Sequence, residues 1–197
     1  MNSKETLRKS LRKKRTSLSH IQQQKKSQKI INRVLKSEAF KTAKNIAYYH
    51  AVRGEADPAN LNIGHKQQQF YLPIVVSASK NKQQGLVFSP ASLTSQYQLN
   101  QFNIPEPICE PSELIQVYEL DLLIMPLLGF DRRGNRLGMG GGFYDRSLAY
   151  KQQRPEKRPV LMGFAYDFQE VEALQAEPWD IGLDWIAMES DLLRCVV

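Results

Sequence analysis

Cysteine is nearly missing from this chain. Cys109 and Cys195 are the only two in 197 residues, too few for the disulfide framework of small secreted domains and suited to a reducing cytoplasm. No apolar run approaches the ~20 residues that cross a bilayer, and the basic amino-terminal stretch lacks the apolar segment of a secretory signal. A soluble cytoplasmic protein is therefore expected, with no membrane partner. No internal repeat or linker interrupts the sequence, and its length suits one substantial core, so residues 1–197 read as a single domain. The nucleotide fingerprints G-x-G-x-x-G and Gly-Lys-Ser/Thr are absent. The sequence also offers no convincing protein nucleophile, because His20, His50 and His65 lie in different segments and neither cysteine has a base motif nearby.

What is present begins with charge. The chain carries +7 overall, but residues 1–26 hold nine Lys or Arg against Glu5, a local balance of +8, so the remainder sums to −1. This segment has helical spacing, with Leu7, Leu11 and Leu18 near one face and Lys9, Arg12, Lys13 and Arg15 around them. Ser19 and Gln22 suit a capping box opening a second helix that carries Ile30, Ile31, Val34 and Leu35. A solvated basic face is the ordinary reading of such a run; a nucleic-acid arm is the alternative, since clustered Lys and Arg neutralise phosphates.

The most informative segment is residues 129–145, GFDRRGNRLGMGGGFYD, in which six of seventeen positions are glycine. Bare backbone from Gly138 to Gly142 exposes amide N–H groups able to converge on an anion. Arg133, Arg136, Asp131 and Asp145 bracket it, so both signs of charge are at hand. The apolar run at 120–128 before it reads as a strand buried on both faces, and 143–153 after it reads as a helix. The expected order is strand, glycine loop, helix N-terminus, with the helix dipole favouring a phosphate at the loop and Asp145 in the first turn able to hold Mg²⁺. A simple tight turn is the plainer reading.

Strands are expected at 45–50, 70–76, 86–88, 120–128, 159–165 and 184–188. Helices are expected at 58–67, 113–117, 143–153 and 168–174, and surface turns at 66–69 and 80–84. The alternation implies an α/β layered fold, a mainly parallel central sheet flanked by helices.

The run MPLLGFDRRGNRLGMGGGFYDR, residues 125–146, resembles the signature of the 5-formyltetrahydrofolate cyclo-ligase (methenyltetrahydrofolate synthetase) family. Looser likenesses follow in order along the chain: KETLRKSLRKKR near the amino end, HAVRGEAD at 50–57, NIPEP at 103–107 and WDIGLDWI at 179–186. Met139, Gly141 and Phe143 stand where relatives often carry arginine, lysine and tyrosine, and Trp179 where histidine or asparagine is common. The resemblance implies ATP-dependent cyclisation of 5-formyltetrahydrofolate to 5,10-methenyltetrahydrofolate in a monomer whose partners are ATP, Mg²⁺ and a reduced folate, with no nucleic acid. It implies ATP contacts at Lys4, Arg8, Arg136, Gly138, Gly140, Gly142 and Tyr144, although Tyr144 equally suits the core. It implies folate contacts at His50, Glu55, Met139, Gly140, Gly141, Gly142 and Phe143, although His50 equally suits a strand end. Catalytic roles fall to Arg136 and Asp145, and metal ligation to Asp145 and Asp180, with Asp184 a weaker candidate. A sugar-phosphate isomerase or transferase is the competing enzyme reading; it leaves Lys4, Arg8 and the long loop match without a role.

Overall fold

The computed structural model describes residues 4–65, 67–77, 84–91, 96–154 and 158–195. Three helices open the chain: α1 (Lys4–Thr16), α2 (His20–Val34) and α3 (Glu38–Thr42). The capping box forms as expected, the Ser19 hydroxyl accepting from the Gln22 amide while the Gln22 side chain accepts from the Ser19 amide. Strands follow as β1 (Asn45–Ala47), β2 (Gln69–Ser77), β3 (Gln84–Pro90), β4 (Tyr97–Leu99), β5 (Pro105–Pro107), β6 (Leu122–Met125), β7 (Gly129–Phe130) and β8 (Arg136–Leu137). Helix α4 (Phe143–Ser147) precedes β9 (Val160–Phe164), β10 (Trp185–Ala187) and β11 (Leu192–Arg194).

Seven strands form the main sheet in the order β11-β10-β9-β6-β1-β2-β3. The pairings β10 to β9, β9 to β6, β6 to β1 and β1 to β2 are parallel, and only the edges, β11 on β10 and β3 on β2, are antiparallel. The α/β architecture with a mainly parallel sheet is thus what the apolar strands specify. Because side chains alternate across a strand, β6 sends Leu122 and Ile124 to the face covered by Ile30, Ile31 and Val34 of α2, and Leu123 and Met125 to the opposite face with Phe88, Leu148 and Ile186. Burial on both faces explains why this strand reads as a continuous apolar run.

Several boundaries differ from expectation. The run at 120–128 leaves the sheet after Met125 because Pro126 has no amide to donate. Two short β-strands, β7 and β8, then pair as a hairpin, so the glycine loop follows a hairpin rather than a sheet strand. The expected helix at 143–153 is five residues of α4 and then a 3-10 turn, Ala149–Gln152. So short a helix contributes little dipole, and the dipole argument for a phosphate at the loop falls with it. The helix expected at 58–67 is a 3-10 turn, Ala59–Asn62, followed by Gly64 at φ +83°. Residues 113–117 are not a helix, since Ile115 bridges to Phe88. At 168–174, the turn Asp167–Gln169 gives way to a bridge from Glu170 to Phe130. Strand β1 is shorter than 45–50. Gln69 and Gln84 begin strands instead of lying in turns, and residues 66 and 80–83 lie outside those described.

Candidate active site

The hairpin of β7 and β8 turns on Asp131, which is buried and accepts hydrogen bonds from the Arg133 amide (3.0 Å), the Asn135 amide (3.0 Å), Asn135 Nδ2 (2.8 Å) and the Leu174 amide (2.9 Å). Asp131 is therefore a structural hub, not a member of a charged ligand site. The hairpin delivers Arg136 to the start of the glycine loop.

That loop is exposed from Gly138 to Gly141. Gly140 sits at φ +99° and Gly142 at φ +63°, conformations that side chains resist. No atom lies within 4 Å of where a Cβ on Gly138 or Gly140 would be, so open space fronts the backbone there, whereas a Cβ on Gly141 would lie 2.6 Å from the Phe143 ring.

Four segments converge beside this loop. From α1, Arg8 Nε donates to the Gly138 carbonyl (3.1 Å) and Lys4 Nζ to Glu177 (2.8 Å). The Arg136 side chain is 6% exposed and its Nη2 pairs with Asp145 Oδ1 on α4, while Nη1 is buried with no hydrogen-bond partner. A buried guanidinium N–H without an acceptor is costly, and an anionic ligand would satisfy it. Asp145 Oδ1 also accepts from the Ile181 amide (3.3 Å), and Asp180 Oδ2 from the Glu177 amide (2.9 Å). Asp145 and the 177–181 turn are thus adjacent. Among the described residues no group of three or more His, Cys, Asp or Glu gathers as a metal site. Mg²⁺ commonly takes one or two carboxylates and completes its octahedron with phosphate oxygens and water, and the pair Asp145 and Asp180 fits that share. Asp184 does not join them: its carboxylate accepts from the Leu161 amide (2.7 Å), tying β10 to β9.

A second group lies on the loop after β1. His50 packs edge-on against Tyr97 (5.4 Å between centroids); its Nε2 is buried without a partner, and burial holds its pKa below the usual value. Glu55 is buried, which pushes its carboxyl upward, while neighbouring Arg15 pulls it back. Tyr144 lies close enough to Glu55 and Arg136 to feel both, and burial pushes its phenol up. Phe143 meets Phe102 edge-on (5.5 Å) and carries the Arg146 guanidinium over its ring (5.1 Å). Met139 links the groups, its Sδ lying 4.0 Å from Arg15 Nη2. Trp179 is mostly exposed. Arg15, read from sequence as part of the solvated basic face, is instead almost fully buried; the only signal for this was its place on the Leu11 side of α1. Glu177 also escaped sequence reading, because one acid in a loop carries no pattern.

Known proteins resemble this chain along most of its length. The model of the 5-formyltetrahydrofolate cyclo-ligase family matches residues 1–189. Proteins named 5-formyltetrahydrofolate cyclo-ligase from Haemophilus influenzae and Escherichia coli are 36% and 34% identical over 182 residues, covering 91% of this chain and 94% and 97% of theirs. The NMR structure of Aquifex aeolicus 5,10-methenyltetrahydrofolate synthetase superposes with a TM-score of 0.80 at 30% identity, covering 97% of this chain and 92% of that one. A Mycoplasma pneumoniae 5,10-methenyltetrahydrofolate synthetase gives 0.67 at 27% identity, covering 94% and 98%. The match runs from α1 through the glycine loop to the 177–181 turn, the segments that meet around Arg136 and Asp145, and on this ground the chain belongs to the 5-formyltetrahydrofolate cyclo-ligase family.

Proposed function

We propose that this enzyme cyclises 5-formyltetrahydrofolate to 5,10-methenyltetrahydrofolate at the expense of ATP, releasing ADP and phosphate. The observation that carries the reading is Arg136: a buried guanidinium held by Asp145, with its Nη1 left without a partner, beside an open glycine loop and two cations of α1. Formyl oxygen is a poor leaving group, so the γ-phosphoryl is transferred to it first; N10 then attacks the activated carbon and phosphate departs. The substrate supplies its own nucleophile, which suits a sequence with no recognisable nucleophile motif.

The protein's share is positioning and charge stabilisation. Lys4, Arg8 and Arg136 meet phosphate oxygens, and the backbone at Gly138, Gly140 and Gly142 admits the nucleotide closely, with Tyr144 as a wall. His50, Glu55 and the loop from Met139 through Gly140, Gly141 and Gly142 to Phe143 face the folate. Asp145 and Asp180 would hold Mg²⁺, which when bound neutralises phosphate charge. The purified protein mixed with 5-formyltetrahydrofolate, ATP and Mg²⁺ should develop the absorbance of the methenyl product, and only when nucleotide and divalent metal are both present. Product without ATP, or none under any condition, overturns the reading.

A further inference from the structure

Arg15 is the most deeply buried cation of α1, its side chain 1% exposed. Nothing in the proposed chemistry uses it, and burying a guanidinium is expensive unless its donors are met. They are met by three segments that are distant in sequence. Nε donates to the Arg53 carbonyl (3.2 Å), and Nη1 to Glu55 Oε1 (3.2 Å) and the Leu127 carbonyl (3.5 Å), while Nη2 approaches Met139 Sδ (4.0 Å). On its other side the Glu55 carboxylate accepts from the Val52 amide through Oε2 (3.1 Å). Gly54 cannot gain a side chain here, since a Cβ would lie 2.8 Å from the Arg15 carbonyl, so the 50–57 loop is seated on α1 itself.

We propose that Arg15 is a positioning residue for the folate side of the site, holding Glu55 as an oriented anion and clamping its loop to Leu127, just past β6, and to Met139. The inference rests on the reading of Glu55 as a folate contact given above. An ionised carboxylate accepts hydrogen bonds from folate N–H groups, whereas a protonated one offers a donor to the same atoms. The groups facing Glu55 are Arg15 from α1, Arg53 from its own loop, Tyr49 after β1, Tyr144 of α4 and Tyr166 after β9. Burial pushes all three phenols upward, so they are neutral. Arg53 is exposed. Arg15 is therefore the principal charge opposing the burial that favours the neutral acid. Removing it drives the Glu55 pKa further up, and folate binding should fail at a higher pH than in the parent protein.

The test is calorimetric titration of the full chain with 5-formyltetrahydrofolate in the absence of ATP, from about pH 5 to 9, with a parallel titration with Mg²⁺ and ATP. Arg15→Gln should weaken folate binding by roughly tenfold or more, the scale of a charged hydrogen bond, and move the acid limb of affinity upward while nucleotide affinity holds. Arg15→Lys restores the charge without the planar fork, so its limb should return to the parental position with a smaller loss of affinity. Glu55→Gln should abolish the limb. Where Arg15→Gln does not fold, Arg15→Lys decides alone: a loss confined to folate supports the proposal, and unchanged folate affinity overturns it. A lower Tm with parental folate affinity and acid limb, or equal losses for folate and nucleotide, also overturns it, leaving the cyclo-ligase reading intact. A parent protein that does not bind 5-formyltetrahydrofolate overturns both.

Discussion

Arg136 and Asp145 show how one contact can serve two purposes. The pair satisfies part of a guanidinium whose side chain is 6% exposed, and it aims the remaining N–H groups. Arg136→Ala removes a fixed charge from a preorganised site, and kcat should fall on the order of 10²-fold, the scale of deleting one such donor; steady-state kinetics at saturating ATP and folate measure it, and near-parental turnover would make Arg136 a structural residue. Asp145→Asn has a stability consequence that sequence reading alone did not foresee. From sequence, the only structural role of Asp145 is a first-turn dipole interaction, but the structure makes it the counter-ion of Arg136. Losing that charge should lower stability by about 1 to 3 kcal/mol, as for a hydrogen bond to a charged group, visible as a lower Tm without ligands. If Asp145 is also a magnesium ligand, turnover should fall strongly and recover partly as Mg²⁺ is raised, because asparagine keeps an oxygen donor but not the charge that a hard cation prefers. A lower Tm with full activity would leave Asp145 as counter-ion only.

Among the elements, the glycine loop is where shape and chemistry can be separated. Gly140 and Gly142 hold positive φ, so a side chain at either strains the backbone whatever binds there. Gly138 is different: its φ is not positive, and a Cβ would meet nothing within 4 Å. Gly138→Ala should therefore leave Tm nearly unchanged, and any loss of activity reports a ligand that needs the space. An unchanged KM for ATP and folate in Gly138→Ala would show that neither approaches this backbone. Gly140→Ala, by contrast, should lower Tm as well. The sequence was legible here because glycines, Arg136 and Asp145 are contiguous. The hairpin was less so, since two-residue strands such as β7 and β8 have no period to read and are set by tertiary pairing through Asp131. Strands β4 and β5 escaped for the same reason, β4 being exposed throughout and β5 opening and closing with proline. The continuous apolar runs of β6 and β9 were plain because both faces are buried. Strand order was not legible at all, because the parallel neighbours β6 and β1 are paired by long-range packing and not by any local turn.

For the molecule as a whole, the question raised by the amino-terminal charge is whether α1 is an arm for an external polyanion or a wall of the site. Its inner face favours the wall: Lys4 reaches Glu177, Arg8 the Gly138 carbonyl, Leu11 packs where a Cβ on Gly129 would lie, and Arg15 ties the 50–57 loop to Leu127 just past β6. Deleting residues 1–26 would remove part of the core and of the proposed site together, so loss of binding after truncation would say nothing about a nucleic-acid surface. Lys9, Arg12, Lys13 and Lys14 are the exposed remainder, and substituting all four by glutamine isolates the question. Each exposed change should cost no more than about 0.5 kcal/mol. Both proposed substrates are anions, so some loss of electrostatic steering is expected at low salt, but at physiological ionic strength the Debye length is only ~8 Å and turnover should stay within a few-fold of the parent. A nucleic-acid arm instead demands that the parent bind nucleic acid with an affinity falling steeply as salt rises, and that the fourfold variant lose that binding and most of its salt slope. Retention on immobilised nucleic acid across a salt series, measured beside cyclisation for both proteins, separates the two. Parental turnover in the variant, with no salt-sensitive retention of either protein, is the outcome expected of a solvated face on a helix whose other side lines the proposed site.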